Sequence, residues 1–268
     1  MSPKITIITI SYNNREGLKK TIKSVDSQSH VDFEYIVIDG GSQDGSKEIL
    51  EQFANKISYW VSEPDKGIYN AMNKGIKAAN GEYLLFLNSG DEFFANDVLE
   101  KASSQLGNED VIYGNLEFID ENQSYNREYP KTISFHYLYT DALPHPASFI
   151  KKTAFDKVGL YDENLKIVSD WKWFIEAFSR FHLTWKHIPI TVSKFYLDGI
   201  SSKQIEKVNA ERDLALSNFT LSEKKDAETI ENLQKIVKNL QATERNYIHL
   251  KNYKSVRILA KLRLIQIR

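Results

Sequence analysis

Carboxylate and amide side chains follow three apolar runs in the first hundred residues. Residues 83–87 are followed by "NSGD" (88–91), residues 5–10 by "SYNN" and residues 35–38 by "DGGSQDG". Such oxygen ligands bind hard divalent cations such as Mg²⁺ or Mn²⁺, which share their coordination with substrate phosphates. Gly90 lets phosphate oxygens approach the backbone. Asp91 is therefore a candidate cation ligand beside a diphosphate, with a turn-forming aspartate as the alternative.

The elements that must position these side chains alternate along the chain. Apolar runs rich in β-branched and aromatic residues predict five strands, at residues 5–10, 35–38, 57–61, 83–87 and 111–113. Apolar residues at helical spacing predict a helix between most of them. This order predicts an α/β fold with a mostly parallel central sheet flanked by helices. Ligands of such sheets bind outside the carboxyl ends of the strands, where the polar loops would lie together.

The second half of the chain has a different character. Residues 115–200 contain a predicted hairpin, an aromatic stretch at 135–139 and a helix that starts near Asp170. Asp170 could serve as a proton acceptor, or it could cap this helix. Beyond residue 202 the composition favours helix, so we predict a domain at 1–202 and a helical C-terminal extension at 203–268.

Several classes of function are excluded by what the sequence lacks. The chain has no cysteine, which removes disulfides, thiolate metal sites and a cysteine nucleophile. It also lacks a P-loop, a dinucleotide-binding glycine motif and histidines four residues apart. The N-terminus predicts a strand and not a signal peptide, and no apolar run approaches the ~20 residues of a membrane span. The net charge of −1 gives no indication of nucleic acid, and none is predicted as a partner.

The C-terminal extension carries two further patterns. Two heptads, Ile230/Leu233 and Val237/Leu240, could pair two chains as a homodimer. Residues 246–268 contain six lysines or arginines and no acid. Their spacing predicts a short helix with basic side chains on one face and apolar side chains on another. This segment favours peripheral contact with an anionic membrane, with a nucleic-acid patch or a solvated tail as alternatives.

Four segments together carry a family resemblance. They are "ITIITISYNN", "YIVIDGGSQDGS", "EPDKGIYNAMNKGIKAANGEYLLFLNSGDEF" and "SDWKWF". In this order and spacing they resemble the family 2 glycosyltransferases of the GT-A fold, and they look like the branch that builds bacterial O-antigens and exopolysaccharides. The resemblance covers about residues 4–202. It implies a nucleotide-binding half at about 1–113 and an acceptor half at 114–202.

The resemblance implies a nucleotide-binding role for residues of the first half. Tyr12 can stack on a base, and a carboxylate at Asp39 can accept a ring N–H, which implies a preference for uridine. Packing for Tyr12, an Asx turn for Asp39 and a solvated helix charge for Lys74 are the alternatives. The implied nucleotide-binding residues are Thr9, Ser11, Tyr12, Asn13, Asp39, Ser42, Asp65, Asn73, Lys74, Asn88, Ser89 and Gly90.

The metal ligand and the catalytic base are implied in the same way. Family members usually carry Asp-x-Asp where this chain has "NSGD", so only Asp91 remains as the implied ligand of Mn²⁺ or Mg²⁺. One carboxylate holds a cation more weakly than two, and weaker metal binding is expected. Asp170 matches the general base, which takes the proton of the acceptor hydroxyl.

The acceptor or diphosphate loop is the last part of the implied site. It comprises His145, Trp171, Tyr196 and Ser201. A structural histidine is the alternative for His145. Trp171 and Trp173 are not expected to be buried together on one helix, so one of them could face a sugar ring, with the protein core as the alternative.

The sequence as a whole therefore predicts an inverting, metal-dependent glycosyltransferase of the hexosyltransferase type. It would move a sugar from a UDP-sugar donor to a glycan acceptor, typically lipid-linked, at the cytoplasmic face of the membrane. A sugar-1-phosphate nucleotidyltransferase is a weaker alternative, because "SYNNREG" lacks the glycine-rich basic loop that such an enzyme needs. A non-catalytic nucleotide-sugar binder or membrane-associated scaffold is the alternative from another class.

Overall fold

The computed structural model describes residues 4–29, 32–120, 123–197, 199–217, 219 and 243, with residues 200 and 201 described by their backbone only. The chain divides into two compact units, Met1–Asn218 and Phe219–Arg268. The predicted heptads and the basic segment 246–268 lie outside the described residues. The fold below is that of the first unit, and the division predicted at residue 202 stays a prediction.

Four parallel strands form the first half of the sheet, in the order β3-β2-β1-β4. They are β1 (Ile5–Ser11), β2 (Phe33–Asp39), β3 (Tyr59–Ser62) and β4 (Tyr83–Phe86). The register places Ser11 beside Asp39 and Asp39 beside Ser62, so three strands end level with one another. β1 and β4 are buried along their whole length, as their continuous apolar sequences predict.

Helices connect these strands and cover the sheet. They are α1 (Arg15–Asp26), α2 (Ser46–Gln52), α3 (Ile68–Ala78) and α4 (Val98–Ser103). Leu18, Ile22 and Val25 form the buried face of α1, whose first turn is capped by the side chain of Asn14. Met72 and Ile76 are buried apolar side chains of α3. The predicted strand–helix alternation is confirmed in this half.

The second half extends the sheet with mixed strand directions. Its strands are β5 (Glu92–Phe93), β6 (Val111–Ile119), β7 (Ser124–Arg127), β8 (Ser148–Lys151) and β9 (Trp185–Tyr196). The order continues from β4 through β8, β6 and β9 to β5, with β7 paired to β6 in a hairpin. β8 runs antiparallel to both β4 and β6. The prediction of a mostly parallel sheet therefore holds for the first half only.

Five helices accompany these strands in the described part of the chain. They are α5 (Phe135–Thr140), α6 (Lys152–Val158), α7 (Ser169–Ser179), α8 (Ile200–Lys203) and α9 (Ile205–Leu216). α7 buries both Trp171 and Trp173, so the expectation that they would not be buried together is wrong, and the core alternative describes both side chains. The reason is that α7 is covered on more than one side, by α5, α6 and α9. Within the described residues, no helix combines the length and the apolar character needed to cross a membrane.

Candidate functional site

The carboxylate of Asp39 organises the loop after β2. Its Oδ2 accepts the backbone N–H of Gly41 at 3.2 Å and of Ser42 at 2.9 Å, and the Ser62 hydroxyl at 2.6 Å. Its Oδ1 accepts the Ser42 hydroxyl at 2.5 Å. Because Ser62 ends β3, these bonds also tie two strand ends together. Asp39 therefore makes the Asx-type turn that the sequence left open, and its contact with a nucleotide ring stays a prediction.

The loop after β1 is bonded to the loop after β2. The Asn13 N–H donates to Ser42 Oγ at 2.7 Å, and Asn13 Oδ1 accepts the Gln43 N–H at 2.9 Å. Asn13 adopts a left-handed backbone with a φ of 46°, a conformation that asparagine tolerates better than most residues. The neighbouring Tyr12 is 66% exposed. A firmly bonded loop thus presents an aromatic ring to solvent, where a base could stack on it.

Gly40 allows a third segment to approach these loops. A Cβ at this position would lie 2.4 Å from Asp65 Oδ2 and 3.2 Å from Tyr12 Cδ2. Only glycine fits such an approach without moving either side chain. Asp65 is itself fixed, since its Oδ1 accepts the N–H of Gly67 at 2.8 Å just before α3. Tyr12, Asp39 and Asp65 therefore come together, as expected for residues of one binding site.

The turn at residues 88–91 is held by a threonine of α1. The Thr21 hydroxyl donates to the Asp91 carbonyl at 2.7 Å and accepts the Gly90 N–H at 3.0 Å. The Asp91 N–H in turn donates to the Asn88 carbonyl at 2.9 Å. Gly90 has a φ of +109°, in the region that favours glycine, so the turn depends on this residue. The polar end of β4 is a bonded turn rather than a loose loop.

Two buried oxygen atoms at these strand ends have no hydrogen-bond partner among the described residues. They are Ser11 Oγ and Asn88 Oδ1. The two loops are neighbours, because the Ser89 N–H donates to the Ile10 carbonyl at 3.0 Å. Buried polar atoms are bonded in the great majority of cases, so an unpartnered pair marks a place where a ligand could supply the missing bonds.

Asp170 lies in the first turn of α7 and is partly exposed. Its Oδ1 accepts the Tyr69 hydroxyl at 2.7 Å, and its Oδ2 lies 3.9 Å from His145 Nδ1. Tyr69 belongs to the first turn of α3, four residues after Asp65. The helix that follows the nucleotide-side loop therefore also reaches the predicted base, and the two halves of the candidate site meet there.

His145 is buried between the end of β4 and α7. Its ring stacks on Phe86 with centroids 4.8 Å apart, and its Nε2 lies 2.8 Å from the Tyr161 hydroxyl. Burial lowers the pKa of His145 below its ordinary value, against the opposing influence of the Asp170 carboxylate. A neutral imidazole is therefore favoured next to Asp170. Both the structural and the acceptor-side role of His145 are compatible with this position.

The side-chain oxygen atoms of Asp91 and Asn88 suit a divalent cation whose other ligands come from a substrate and from water. Within the described residues, no group of three or more His, Asp or Glu side chains could hold a metal by itself. Asp91 is buried in the same turn as the unpartnered Asn88 Oδ1. Mg²⁺ commonly uses one or two carboxylates, several waters and substrate phosphates, so a carboxylate and an amide oxygen suffice on the protein side.

Four of the predicted residues have other partners in the structure. Thr9 is fully buried and its hydroxyl donates to the Leu87 carbonyl at 2.7 Å. Asn73 is buried and bonds the backbone of Tyr161 through both its oxygen and its nitrogen. Lys74 pairs with Glu63 at 2.7 Å. The polar groups of these three side chains are thus bonded within the protein, and their contact with a nucleotide stays a prediction.

Trp171 is the fourth of these residues. It is buried, and its indole N–H donates to the carbonyls of Leu138 and Asp141 at 2.8 and 3.0 Å. The core role that the sequence left open as an alternative therefore describes this side chain, and this ring does not face a sugar. Its position next to Asp170 in α7 means that it anchors the turn carrying the predicted base.

Tyr196 and Ser201 are predicted in the loop near the diphosphate. The Tyr196 hydroxyl donates to Glu92 Oε2 at 2.7 Å, and Lys20 Nζ lies 3.1 Å from the centre of its ring. Burial, this bond and nearby carboxylates including Asp91 raise the pKa of Tyr196 well above its ordinary value. Tyr196 is thus a neutral donor on the Asp91 side of the site. Ser201 is in α8, and its side chain lies outside the described residues.

Several residues of this region were missed by the sequence reasoning. Tyr69 lies inside a quoted motif, where a tyrosine on the face toward the acceptor half could have been noticed. Thr21 and Ser62 contribute through contacts with residues distant in the chain, which leave no local signal in the sequence. Glu211 and Arg212 were assigned to the C-terminal extension, although α9 packs on α7.

Glu211 fixes the segment that leads into α7. Its two carboxylate oxygens accept the backbone N–H groups of Lys166 at 2.8 Å, Ile167 at 2.8 Å and Val168 at 3.2 Å. Val168, the N-cap residue of α7, makes no side-chain cap bond of its own. Glu211 therefore bonds α9 to the residues that lead into α7, up to the N-cap residue Val168, two positions before Asp170.

We expect Glu211→Ala to lower the free energy of unfolding by about 1–3 kcal/mol, because backbone N–H groups lose a charged acceptor. Urea unfolding followed by circular dichroism measures the change. Glu206→Ala is the matched control, since Glu206 is an exposed residue in the first turn of the same helix. Equal effects of the two substitutions would contradict a special role for Glu211.

Comparison with known proteins identifies the relatives of the chain. Residues 6–156 match the family model described as "Glycosyl transferase family 2". An uncharacterized glycosyltransferase of Mycobacterium tuberculosis is 35% identical over 181 residues, which cover 66% of this chain and 69% of the relative. A PGL/p-HBAD biosynthesis glycosyltransferase of Mycobacterium bovis is 26% identical over 213 residues, which cover 77% of this chain and 82% of the relative.

Solved structures show the same fold. S. aureus TarS aligns with a TM-score of 0.62 at 20% identity, over 83% of this chain and 41% of TarS. Residues 1–349 of TarS in complex with UDP-GlcNAc align with a TM-score of 0.61 at 18% identity, over 83% of this chain and 69% of that chain. The mannosyltransferase PcManGT from Pyrobaculum calidifontis, in complex with GDP-Man and Mn²⁺, gives a TM-score of 0.59 at 15% identity, over 97% and 84% of the two chains.

These findings confirm two predictions. The structural likeness confirms the GT-A fold, with the mixed second half of the sheet described above. The family match and the named relatives confirm that the protein is a sugar-transferring enzyme. The chain belongs to glycosyl transferase family 2.

Proposed function

We propose that the enzyme transfers a sugar from a UDP-sugar to a hydroxyl group of a glycan acceptor, with inversion at the anomeric carbon. The observation that carries the proposal is the pair of buried oxygens, Ser11 Oγ and Asn88 Oδ1, that lack a partner among the described residues. They lie at adjacent strand ends beside the fixed loops of Tyr12 and Asp39, where ligands of parallel α/β sheets bind. The UDP-GlcNAc complex of the structural neighbour TarS supports a uridine donor.

The donor side of the proposed site is built from the loops that follow β1, β2 and β3. The exposed Tyr12 ring stacks on the base, and Asp65 bonds the ribose or the ring from the facing wall. Asp39 holds the loop geometry through its four hydrogen bonds and offers uracil a carboxylate. The backbone around the diphosphate is shaped by Asn13, Ser42, Ser89 and Gly90. The predicted contacts of Thr9, Asn73 and Lys74 with the nucleotide are assigned to this side as well.

The acceptor side requires one proton transfer. In the proposed step, the acceptor hydroxyl attacks the anomeric carbon, the bond between that carbon and the diphosphate oxygen breaks, and the hydroxyl proton moves to Asp170 Oδ2. UDP leaves with the bonding electron pair. Tyr69 fixes the other carboxylate oxygen by its hydrogen bond of 2.7 Å, which holds Oδ2 in one orientation. Burial favours the neutral form of His145, so this imidazole does not form an ion pair with Asp170.

Asp91 and Asn88 are the residues that would hold Mn²⁺ or Mg²⁺, as their oxygen chemistry and shared turn permit. When bound, the cation supplies charge that stabilises the departing diphosphate, which then needs no proton. The Mn²⁺ complex of PcManGT supports a divalent ion in this fold. Tyr196 stands on the same side as a neutral hydrogen-bond donor.

The acceptor is proposed to be lipid-linked and the enzyme peripheral to the inner face of the cytoplasmic membrane. The support is the basic amphipathic pattern of residues 246–268, which suits anionic lipid surfaces. Formation of a homodimer is proposed from the two heptads of the sequence. A role in O-antigen synthesis is proposed from the resemblance of the sequence motifs to that branch of the family.

The proposed function is tested with nucleotides alone and then with donors. We expect UDP to bind at least about tenfold more tightly than GDP in calorimetric titrations with Mn²⁺, as a uridine donor requires. A panel of UDP- and GDP-sugars then identifies the donor by slow hydrolysis to free sugar. Preferential binding of GDP would contradict the uridine donor, and the failure of every nucleotide to bind would contradict the site itself.

A further inference from the structure

Arg212 lies in α9, the helix that packs on α7 beside the predicted base. Its guanidinium carbon is 4.7 Å from the centre of the Trp171 ring, which places the cation over the aromatic face. Trp171 directly follows Asp170 in α7 and is held in place by its two indole bonds. Glu211, the neighbour of Arg212, fixes α9 against the segment before α7. The guanidinium therefore has a defined position over the ring of the residue that follows Asp170.

Among the described residues, the charge of Arg212 is not matched by a direct partner. Its Nε is buried without a hydrogen bond, and no carboxylate in this part of the chain forms an ion pair with it. Burial lowers the pKa of Arg212, while Asp141 and Asp170 act in the opposite direction. Arginine nevertheless stays charged in proteins, and a half-buried guanidinium without an ion-pair partner can gain free energy by binding an anion.

The carboxylates around Arg212 already have other partners. Asp141 forms an ion pair with Arg127, which neutralises it. One oxygen of Asp170 accepts the Tyr69 hydroxyl, and the other is the proposed proton acceptor of the reaction. Glu211 is occupied by three backbone N–H groups. The donors of Arg212 are thus left for a group that does not belong to these side chains.

We propose that Arg212 forms a subsite for an anionic group of the acceptor, a phosphate or a carboxylate close to the hydroxyl that Asp170 deprotonates. This inference rests on the proposed function and adds the class of acceptor to it. A planar guanidinium forms paired hydrogen bonds with either anion, and an aromatic platform keeps its plane fixed. The subsite belongs to the acceptor, because Arg212 contacts Trp171 and is influenced by Asp141 and Asp170, three residues of the acceptor half.

The experiment uses the full-length protein, saturated with UDP and Mn²⁺, and two matched pairs of small probes. Methyl glucuronide is compared with methyl glucoside for the carboxylate, and glycerol phosphate with glycerol for the phosphate. Ligand-observed NMR titration gives the Kd of each probe for the wild type, Arg212→Gln and Arg212→Lys. Arg180→Gln is the matched control, because Arg180 is an arginine at the end of α7 that pairs with Glu176.

We expect the wild type to bind one charged probe at least about tenfold more tightly than its neutral partner. Arg212→Gln should abolish this preference, Arg212→Lys should keep part of it, and Arg180→Gln should leave it unchanged. The probe pair that shows the preference tells whether the acceptor anion is a phosphate or a carboxylate.

The proposal is overturned if the wild type shows no preference for a charged probe, or if Arg212→Gln retains it. A loss of stability in Arg212→Gln with an unchanged preference would show a purely structural arginine, and would also overturn it. UDP binding is measured in the same samples. Its absence in the wild type would defeat the proposed function, whereas normal UDP binding without charge preference defeats only the acceptor subsite.

Discussion

Asp170→Asn should reduce the rate of sugar transfer at least about a thousandfold, while the Kd for UDP changes less than about twofold. The loss falls in the upper part of the range for removal of a general base, because an amide cannot take the acceptor proton. The substitution keeps the shape of the side chain, and the Tyr69 hydroxyl can still donate to the amide oxygen that replaces Asp170 Oδ1. The substitution therefore removes the negative charge of residue 170 and keeps the shape of its side chain.

The measurement combines single-turnover transfer with calorimetric titration of UDP. Asp156→Asn is the matched control, since Asp156 is an exposed aspartate of α6. A variant that keeps more than about a tenth of the wild-type rate would rule out Asp170 as the base. A parallel loss of UDP affinity would show that Asp170 serves the nucleotide pocket or the fold instead.

Asp91→Asn should remove most of the effect of Mn²⁺ on UDP binding, a loss of at least about tenfold in metal-dependent affinity. The reason is that Asp91 supplies the carboxylate in a turn whose other oxygen donor, Asn88 Oδ1, is neutral. Hard cations prefer charged oxygen ligands, and an amide is a poor replacement. UDP affinity measured in EDTA should stay close to that of the wild type.

Titrations of UDP with and without Mn²⁺ give this comparison directly. Asp97→Ala is the control, because Asp97 follows in the next loop and pairs with Lys101 at 2.7 Å. Asp91 is buried, so thermal unfolding of each variant is recorded to separate metal binding from stability. If the response of Asp91→Asn to Mn²⁺ equals that of the wild type, Asp91 is not the metal ligand.

Much of the fold was predictable from local sequence. Continuous apolar runs predict β1, β2 and β4 within about two residues at most ends, and helical spacing predicts α1 and α3. These features follow from side-chain periodicity over a few residues. The second half was less predictable, since the direction of β8 depends on how α5 and the hairpin return the chain to β4.

The candidate site was predictable as a set of loops but not as a set of contacts. Polar residues after strands predict the neighbourhood of Asp39, Asn88 and Asp91. The sequence did not show which of the predicted site residues are exposed and which are buried. Thr9, for example, is buried by side chains that are distant from it in the chain. Trp171 is another example, since its burial requires α5 and α9 to cover α7.

The order of strands and helices, the family, and the polar residues that end each strand can all be read from the amino-acid sequence, because they depend on neighbours within a few positions. Three-dimensional packing was needed to bring Tyr69 to Asp170 across 101 residues, and to carry Glu211 and Arg212 of α9 to the same place. The physical reason is that hydrogen bonds and burial act between atoms close in space, whatever their separation along the chain.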